Sequence, residues 1–275
     1  MIALEAEDLI RLRALVREGQ GRQSHTGLPG GFVTRKRGPG LEIADLRAFH
    51  DGDDPRHIDR NATARSGKLQ LRTFQAERDR TLMLLADFRP SMLWGTRRTL
   101  RSVAAAEALA LAGWRAVADG GRVGALAVTA GEPVFVRPQA REAGMIAAIG
   151  GLLRGHRAAL GQANAPEPPL ADGFELARRL VPRGASVLLA SALDTPGERF
   201  REAVQALRHR AQLSAIRIVD AFEDDAPSQR YRFATPAGRT GAGAPTALAG
   251  YATAEFPDIA LYRAALPPDR QPWDA

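Results

Sequence analysis

Asp87 closes the apolar run TLMLLAD and is followed by Phe88, Arg89, Pro90 and Ser91. Two later apolar runs end on polar groups as well. SVLLAS stops at Ser191, with Ala192, Leu193 and Asp194 beyond it, and LSAIRIV leads into Asp220. An aspartate at a strand end, with hydroxyls two and four residues on, is one way an α/β protein holds Mg²⁺ through hard oxygen ligands. Here the middle position is Arg89, a permanent cation where a hydroxyl would stand. No threonine lies between Thr129 and Thr195 to act as a remote ligand. A second candidate is the cluster His50, Asp51, Asp53, Asp54, His57 and Asp59, whose side chains are those of a two-metal nuclease or phosphatase. Each of these acids has Arg47, Arg56 or Arg65 near it in sequence. Gly52-Asp53-Asp54 therefore reads as a turn whose carboxylates cap backbone N–H groups and pair with those arginines. Trp94 is either an exposed aromatic contact for a partner or a ring packed beneath its own loop. His25, His156 and His209 are isolated and read as surface or structural residues.

Composition narrows the chemistry. The chain has 275 residues and no cysteine, which excludes a disulfide framework, thiolate zinc, iron–sulfur clusters and a cysteine nucleophile. The net charge is +7, and of the 38 basic residues only Lys36 and Lys68 are lysines. An arginine excess invites a nucleic-acid partner. Aromatics at 6% and no basic run longer than Arg35-Lys36-Arg37 weigh against it, leaving most arginines solvated or paired. No apolar run reaches the roughly 20 residues needed to span a bilayer. The acidic, helical start MIALEAEDLIRLR is unlike a signal peptide, so a soluble cytoplasmic protein is expected.

The elements that must position these groups can be read from periodicity. Residues 4–18 suit an amphipathic helix, with Leu9, Leu12 and Val16 at helical spacing. Gly-rich sequence follows, and Gly38-Pro39-Gly40 opens a segment to Arg80 of interleaved charges, with short strands, turns and a helix around Ile43–His50. TLMLLAD predicts a strand buried on both faces. After it comes a helix through Leu100, Val103, Ala106, Ala110, Trp114 and Val117, stopped by Gly120-Gly121. Strands are expected at RVGALAVT, Val134–Val136, SVLLAS and LSAIRIV, helices at 139–154 and 171–181, and loops at Thr129–Glu132 and Gly161–Pro169. Thr195-Pro196-Gly197-Glu198 has the residues of a capping box, which predicts a helix from there through Phe200, Val204 and Leu207. Strands alternating with helices over residues 81–220 imply a Rossmann-like α/β domain with a mostly parallel sheet and helices on both faces. Ligands of such sheets gather at the carboxyl ends of the strands. The expected division is an N-terminal helix and charged segment, 1–80, packed on an α/β domain, 81–275, with a mobile loop near 235–250.

Residues 38–80, GPGLEIADLRAFHDGDDPRHIDRNATARSGKLQLRTFQAERDR, resemble the signature of the domain of unknown function 58 family. The resemblance is carried in register by Gly38, Gly40, Glu42, Leu46, Arg47, Gly52, Asp53, Asp54, Arg56, Ile58, Asp59, Thr63, Ala64, Arg65, Phe74, Glu77, Arg78 and Asp79. It continues through the strands at Asp87, 122–128 and 186–191.

The resemblance implies a von Willebrand factor A-like domain preceded by this segment, in which Glu42, Arg47, Asp53, Asp54, Arg56, Asp59, Arg65, Glu77 and Arg78 are structural. It also implies a non-enzymatic adaptor working with MoxR-type AAA+ ATPases. In that fold a metal-ion-dependent adhesion site, Asp-x-Ser-x-Ser with a distant Thr and Asp, binds a partner's acidic residue. This chain departs from the pattern at Arg89, at Ser191-Ala192 with Asp194 displaced, and at Arg60 where the family has tryptophan. The expectation is that the Arg89 guanidinium takes the place of the metal, pairing with Asp87 and Asp194 and offering a fork to a partner carboxylate. Mg²⁺ beside it would meet repulsion of a few kcal/mol at an effective dielectric of about 20, so no metal is expected; Asp87 and Ser91 are its ligands if one binds. The expected partner surface is Asp87, Arg89, Ser91, Trp94, Ser191 and Asp194. A metal-dependent hydrolase using the 50–59 acids and a nucleic-acid binder are the alternatives. Asp87-Phe88-Arg89 also resembles the start of haloacid-dehalogenase phosphatases, which need a second aspartate where Arg89 stands.

Overall fold

The computed structural model describes residues 3–19, 43–49, 58–74, 81–96, 98–220, 222, 231–234, 240–243 and 260–263. In chain order the elements are α1 (Ala6–Gly19), β1 (Ile43–Ala48), α2 (Arg60–Ser66), β2 (Gln70–Phe74), β3 (Thr81–Asp87) and α3 (Arg101–Ala118). Then come β4 (Arg122–Val128), β5 (Val134–Ala140), α4 (Arg141–Leu160), α5 (Leu170–Leu180), β6 (Ser186–Ser191) and α6 (Phe200–Arg208). The last are β7 (Gln212–Val219), β8 (Tyr231–Ala234), β9 (Thr240–Gly243) and β10 (Ala260–Arg263). Residues 1–32 and 80–275 make one compact unit and residues 33–79 a second. The first helix, expected to go with the segment up to residue 80, belongs instead with the α/β unit. Trp114 Nε1 donates to the Leu9 carbonyl at 2.8 Å, and Leu9 and Leu12 are buried.

In the larger unit the sheet order is β10-β7-β6-β3-β4-β5, parallel throughout except that β5 runs antiparallel to β4 at one edge. All of β3 is buried, as a strand covered on both faces must be. The side chains alternate with period two. Leu82, Leu84 and Ala86 enter the cluster formed with α1, α3 and α4, while Met83 and Leu85 enter the one formed with α5 and α6. Burying a leucine in either cluster contributes about 1.5–3 kcal/mol. The helix expected over 139–154 runs on to Leu160 because its glycines serve packing and do not stop it. A Cβ on Gly155 would lie 2.5 Å from that of Ala127, so the helix approaches β4 closely there.

In the smaller unit, the helix expected around Ile43–His50 is the strand β1. Its backbone pairs antiparallel with β2, from Ile43 opposite Phe74 to Ala48 opposite Gln70, which uses the amides a helix would need. Asp59 is the N-cap of α2, its Oδ1 accepting from the Ala62 N–H at 2.8 Å. Thr63 Oγ1 accepts from the Gln70 N–H at 3.0 Å, tying α2 to the start of β2.

A further expectation is corrected. The helix after β6 begins at Phe200, and Thr195 is no N-cap. Thr195 has φ 45° and Gly197 φ 88°, left-handed values that a helix start excludes. Within the expected mobile loop near 235–250, residues 240–243 form β9, paired antiparallel with β8.

Candidate functional site

Asp87 ends β3 at the carboxyl edge of the sheet, and a single 3-10 turn, Pro90–Met92, follows Arg89. Asp87, Arg89 and Ser191 are 1%, 0% and 0% exposed. Arg89 folds back on its neighbour: Nε donates to Asp87 Oδ1 and Nη2 to Asp87 Oδ2, both at 2.9 Å. Ser191 Oγ donates to Asp87 Oδ2 at 2.6 Å, fixing the carboxylate from β6. The other guanidinium protons go to main-chain carbonyls. Nη2 donates to Asp194 at 2.8 Å, and Nη1 donates to Pro168 at 2.8 Å and Thr195 at 3.2 Å. A guanidinium has five N–H donors, and all five are used.

The local backbone is shaped to deliver those carbonyls. Leu193 and Thr195 sit at φ 64° and 45°, a conformation that β-branched and bulky residues reach only at a cost of about 1–3 kcal/mol. The Thr195 and Pro196 carbonyls also accept the Leu170 and Ala171 N–H groups at the start of α5. The sequence that reads as a helix cap thus serves Arg89 and a different helix.

Glu167 reaches the cluster from the loop before α5. Its Oε2 accepts the Ser91 N–H at 2.6 Å, its Oε1 accepts the Ser91 hydroxyl at 2.5 Å, and Oε1 lies 3.3 Å from Arg89 Nη1. Its side chain is 4% exposed. Burial pushes the Glu167 carboxyl above its ordinary value, against the pull of Ser91 and Arg89. For Arg89, burial works against the charge, but the carboxylates of Asp87, Glu167 and Asp194 raise its pKa on balance.

At the rim, Arg101 Nη1 pairs with Asp194 Oδ2 at 2.9 Å, and its guanidinium carbon lies 4.2 Å from the centre of the Trp94 ring. The Trp94 ring is thus stacked against Arg101 while 36% of the residue remains exposed. Asp220 directly follows β7 and accepts from the N–H of Thr96 at 3.0 Å and from its hydroxyl, so it holds the loop leading to α3. Beneath the site, His156 Nε2 lies 3.1 Å from Ser102 Oγ, its ring edge-on to Phe88. Burial lowers its pKa.

The structure brings Asp87, Arg89, Ser91 and Ser191 together, with the Arg89–Asp87 pair as expected. Asp194 differs: it gives Arg89 its carbonyl, and its carboxylate goes to Arg101. Nor does Arg89 present a fork to a partner, being fully buried with its donors spent inside the chain. Sequence reasoning did not find Glu167, Pro168 or Arg101; the one signal for Glu167 is an acid alone in the loop GQANAPEPP. Asp59 is the helix cap described above and Arg65 is exposed. Arg47 lies in β1. Glu42, His50, Asp51, Asp53, Asp54, Arg56, His57, Glu77 and Arg78 lie outside the described residues. Among the described residues, no group of three or more His, Asp or Glu side chains is placed to hold a metal. None of their helices is long and apolar enough to cross a membrane.

The chain is similar to the crystal structure of a conserved hypothetical protein, BatB, from Bacteroides thetaiotaomicron. The two are 13% identical, and the match covers 67% of this chain and 89% of that one with a TM-score of 0.42. No curated protein matches at a significant level. A family model described as "Protein of unknown function DUF58" matches residues 45–233, and the chain belongs to that family.

Proposed function

We propose that this chain is a non-enzymatic interaction protein, an adaptor for a MoxR-type AAA+ ATPase, built on a von Willebrand factor A-type fold whose adhesion site has lost its metal. The resemblance carried by residues 38–80 suggests the class by analogy. The observation that carries the reading is the buried Arg89–Asp87 pair at the carboxyl edge of the sheet. At that position the acids and hydroxyls hold one another: Asp87 with Arg89 and Ser191, Ser91 with Glu167. None of these groups is placed as a general acid, base or nucleophile open to a substrate. The donor set suits a guanidinium. A divalent ion would have to displace hydrogen bonds to both Asp87 oxygens while standing beside a permanent cation. In this reading a partner meets the rim at Trp94 and Asp194, and the protein acts in the cytoplasm.

The test is direct association. The purified chain is mixed with MoxR-type ATPases of its own organism, with and without EDTA, and complex formation and ATP turnover are measured. A complex that survives EDTA is the expected result. Failure to bind any of them overturns the adaptor reading, and loss of a complex in EDTA overturns its metal-free form.

A further inference from the structure

The cluster at the carboxyl edge joins three separated stretches: the end of β3 with its turn, the loop before α5, and the loop after β6. Around one guanidinium stand six oxygens: both of Asp87, the carbonyls of Pro168, Asp194 and Thr195, and Oε1 of Glu167. Around one carboxylate, that of Glu167, stand three donors: the Ser91 N–H, the Ser91 hydroxyl and, at ion-pair distance, Arg89 Nη1. Each ion therefore lies in a shell of the opposite character. The carbonyls of Asp194 and Thr195 are aimed by a backbone held at positive φ at Leu193 and Thr195.

We infer that this cluster is a two-ion receptor filled from within: a cage for a guanidinium, occupied by Arg89, and a seat for a carboxylate, occupied by Glu167. The loop 161–169 is fastened to β3 by that occupancy. The geometry distinguishes this from an ordinary buried salt bridge. A salt bridge needs the two charges, whereas here three main-chain carbonyls and one main-chain N–H complete the shells. Those groups persist when either side chain is cut back. Removing the Arg89 side chain leaves an all-acceptor cavity beside two acids, and removing that of Glu167 leaves two Ser91 donors and a nearby cation. Each vacated place should then take up the free ion of the same chemistry.

Chemical complementation tests this. The melting temperatures of the wild-type chain, Arg89→Ala and Glu167→Ala are measured against guanidinium chloride and sodium acetate over about 1–50 mM, with urea and sodium chloride as controls. Glu167→Ala should show a saturable rise with acetate, Arg89→Ala a saturable rise with guanidinium, and the wild-type chain neither. If Arg89→Ala does not fold, the acetate arm decides alone. A folded Glu167→Ala that ignores acetate overturns the inference. So does calorimetric Mn²⁺ binding by the wild-type chain that Asp87→Ala abolishes, since a divalent ion would then occupy the cage. Association with an ATPase is read separately on the wild-type chain. Complementation without that association leaves this inference standing and sinks the adaptor reading; the reverse result does the opposite.

Discussion

Arg89 and Asp87, two residues apart, meet through two hydrogen bonds of 2.9 Å, and neither is more than 1% exposed. Breaking a buried pair by removing one partner leaves an uncompensated charge, at a cost of about 3–5 kcal/mol. Arg89→Ala should lose stability by that amount in urea denaturation. Arg89→Lys should recover only part of it, because three ammonium donors cannot serve five acceptors arranged for a planar fork. A lysine variant as stable as the wild type would contradict the described geometry.

His156 gives the pH dependence. Its pKa lies below the ordinary 6.5 because burial disfavours the imidazolium. The unfolded chain therefore takes up the proton first as pH falls. The stability this group contributes is complete above pH 6.5 and is lost as pH falls through the lower folded value. His156→Gln should abolish that component, so the melting-temperature gap between wild type and variant should shrink from pH 8 toward about pH 5. A gap that widens on acidification would contradict it.

Two glycines of α4 should respond oppositely to alanine. A Cβ on Gly144 would lie 2.1 Å from the Gln139 carbonyl oxygen, a fixed backbone atom, so Gly144→Ala should destabilise. A Cβ on Gly150 would meet only Arg154 Nη1 at 3.4 Å. Gly150→Ala should therefore gain about 0.5–1 kcal/mol from helix propensity. Thermal melts of the two variants side by side check the sign.

In the smaller unit, Asp59→Ala removes the acceptor for the Ala62 N–H. The expected loss is about 1 kcal/mol. Hydrogen exchange at the Ala62 amide reads the effect locally.

The parts of the fold legible in the sequence are those where burial alone dictates the residue type. The apolar run 82–86 between Thr81 and Asp87 reads as a central strand, and Val103 to Val117 as one stripe of a helix. The misreadings fall where tertiary contacts override a local pattern. Thr195-Pro196-Gly197-Glu198 has good capping chemistry, but its carbonyls are taken by Arg89 and by α5. Ile43–Ala48 has no pattern of its own and takes its form from β2. The Arg89–Asp87 pair was legible because its members are neighbours in the chain. Glu167 was not, since it lies 76 residues from the Ser91 it holds and nothing near it marks the role.

That separation also bears on the order of events in folding. The three carbonyls around Arg89 come from 79, 105 and 106 residues away. They can converge only after β3 and β6 are in register and the loops before α5 and after β6 have turned. Such long closures are costly before the strands pair. The ion cluster is therefore expected to form on the native side of the rate-limiting barrier. Its contribution should then set how long the native state lasts once formed: stopped-flow kinetics of Glu167→Ala should show faster unfolding with the rate of folding almost untouched.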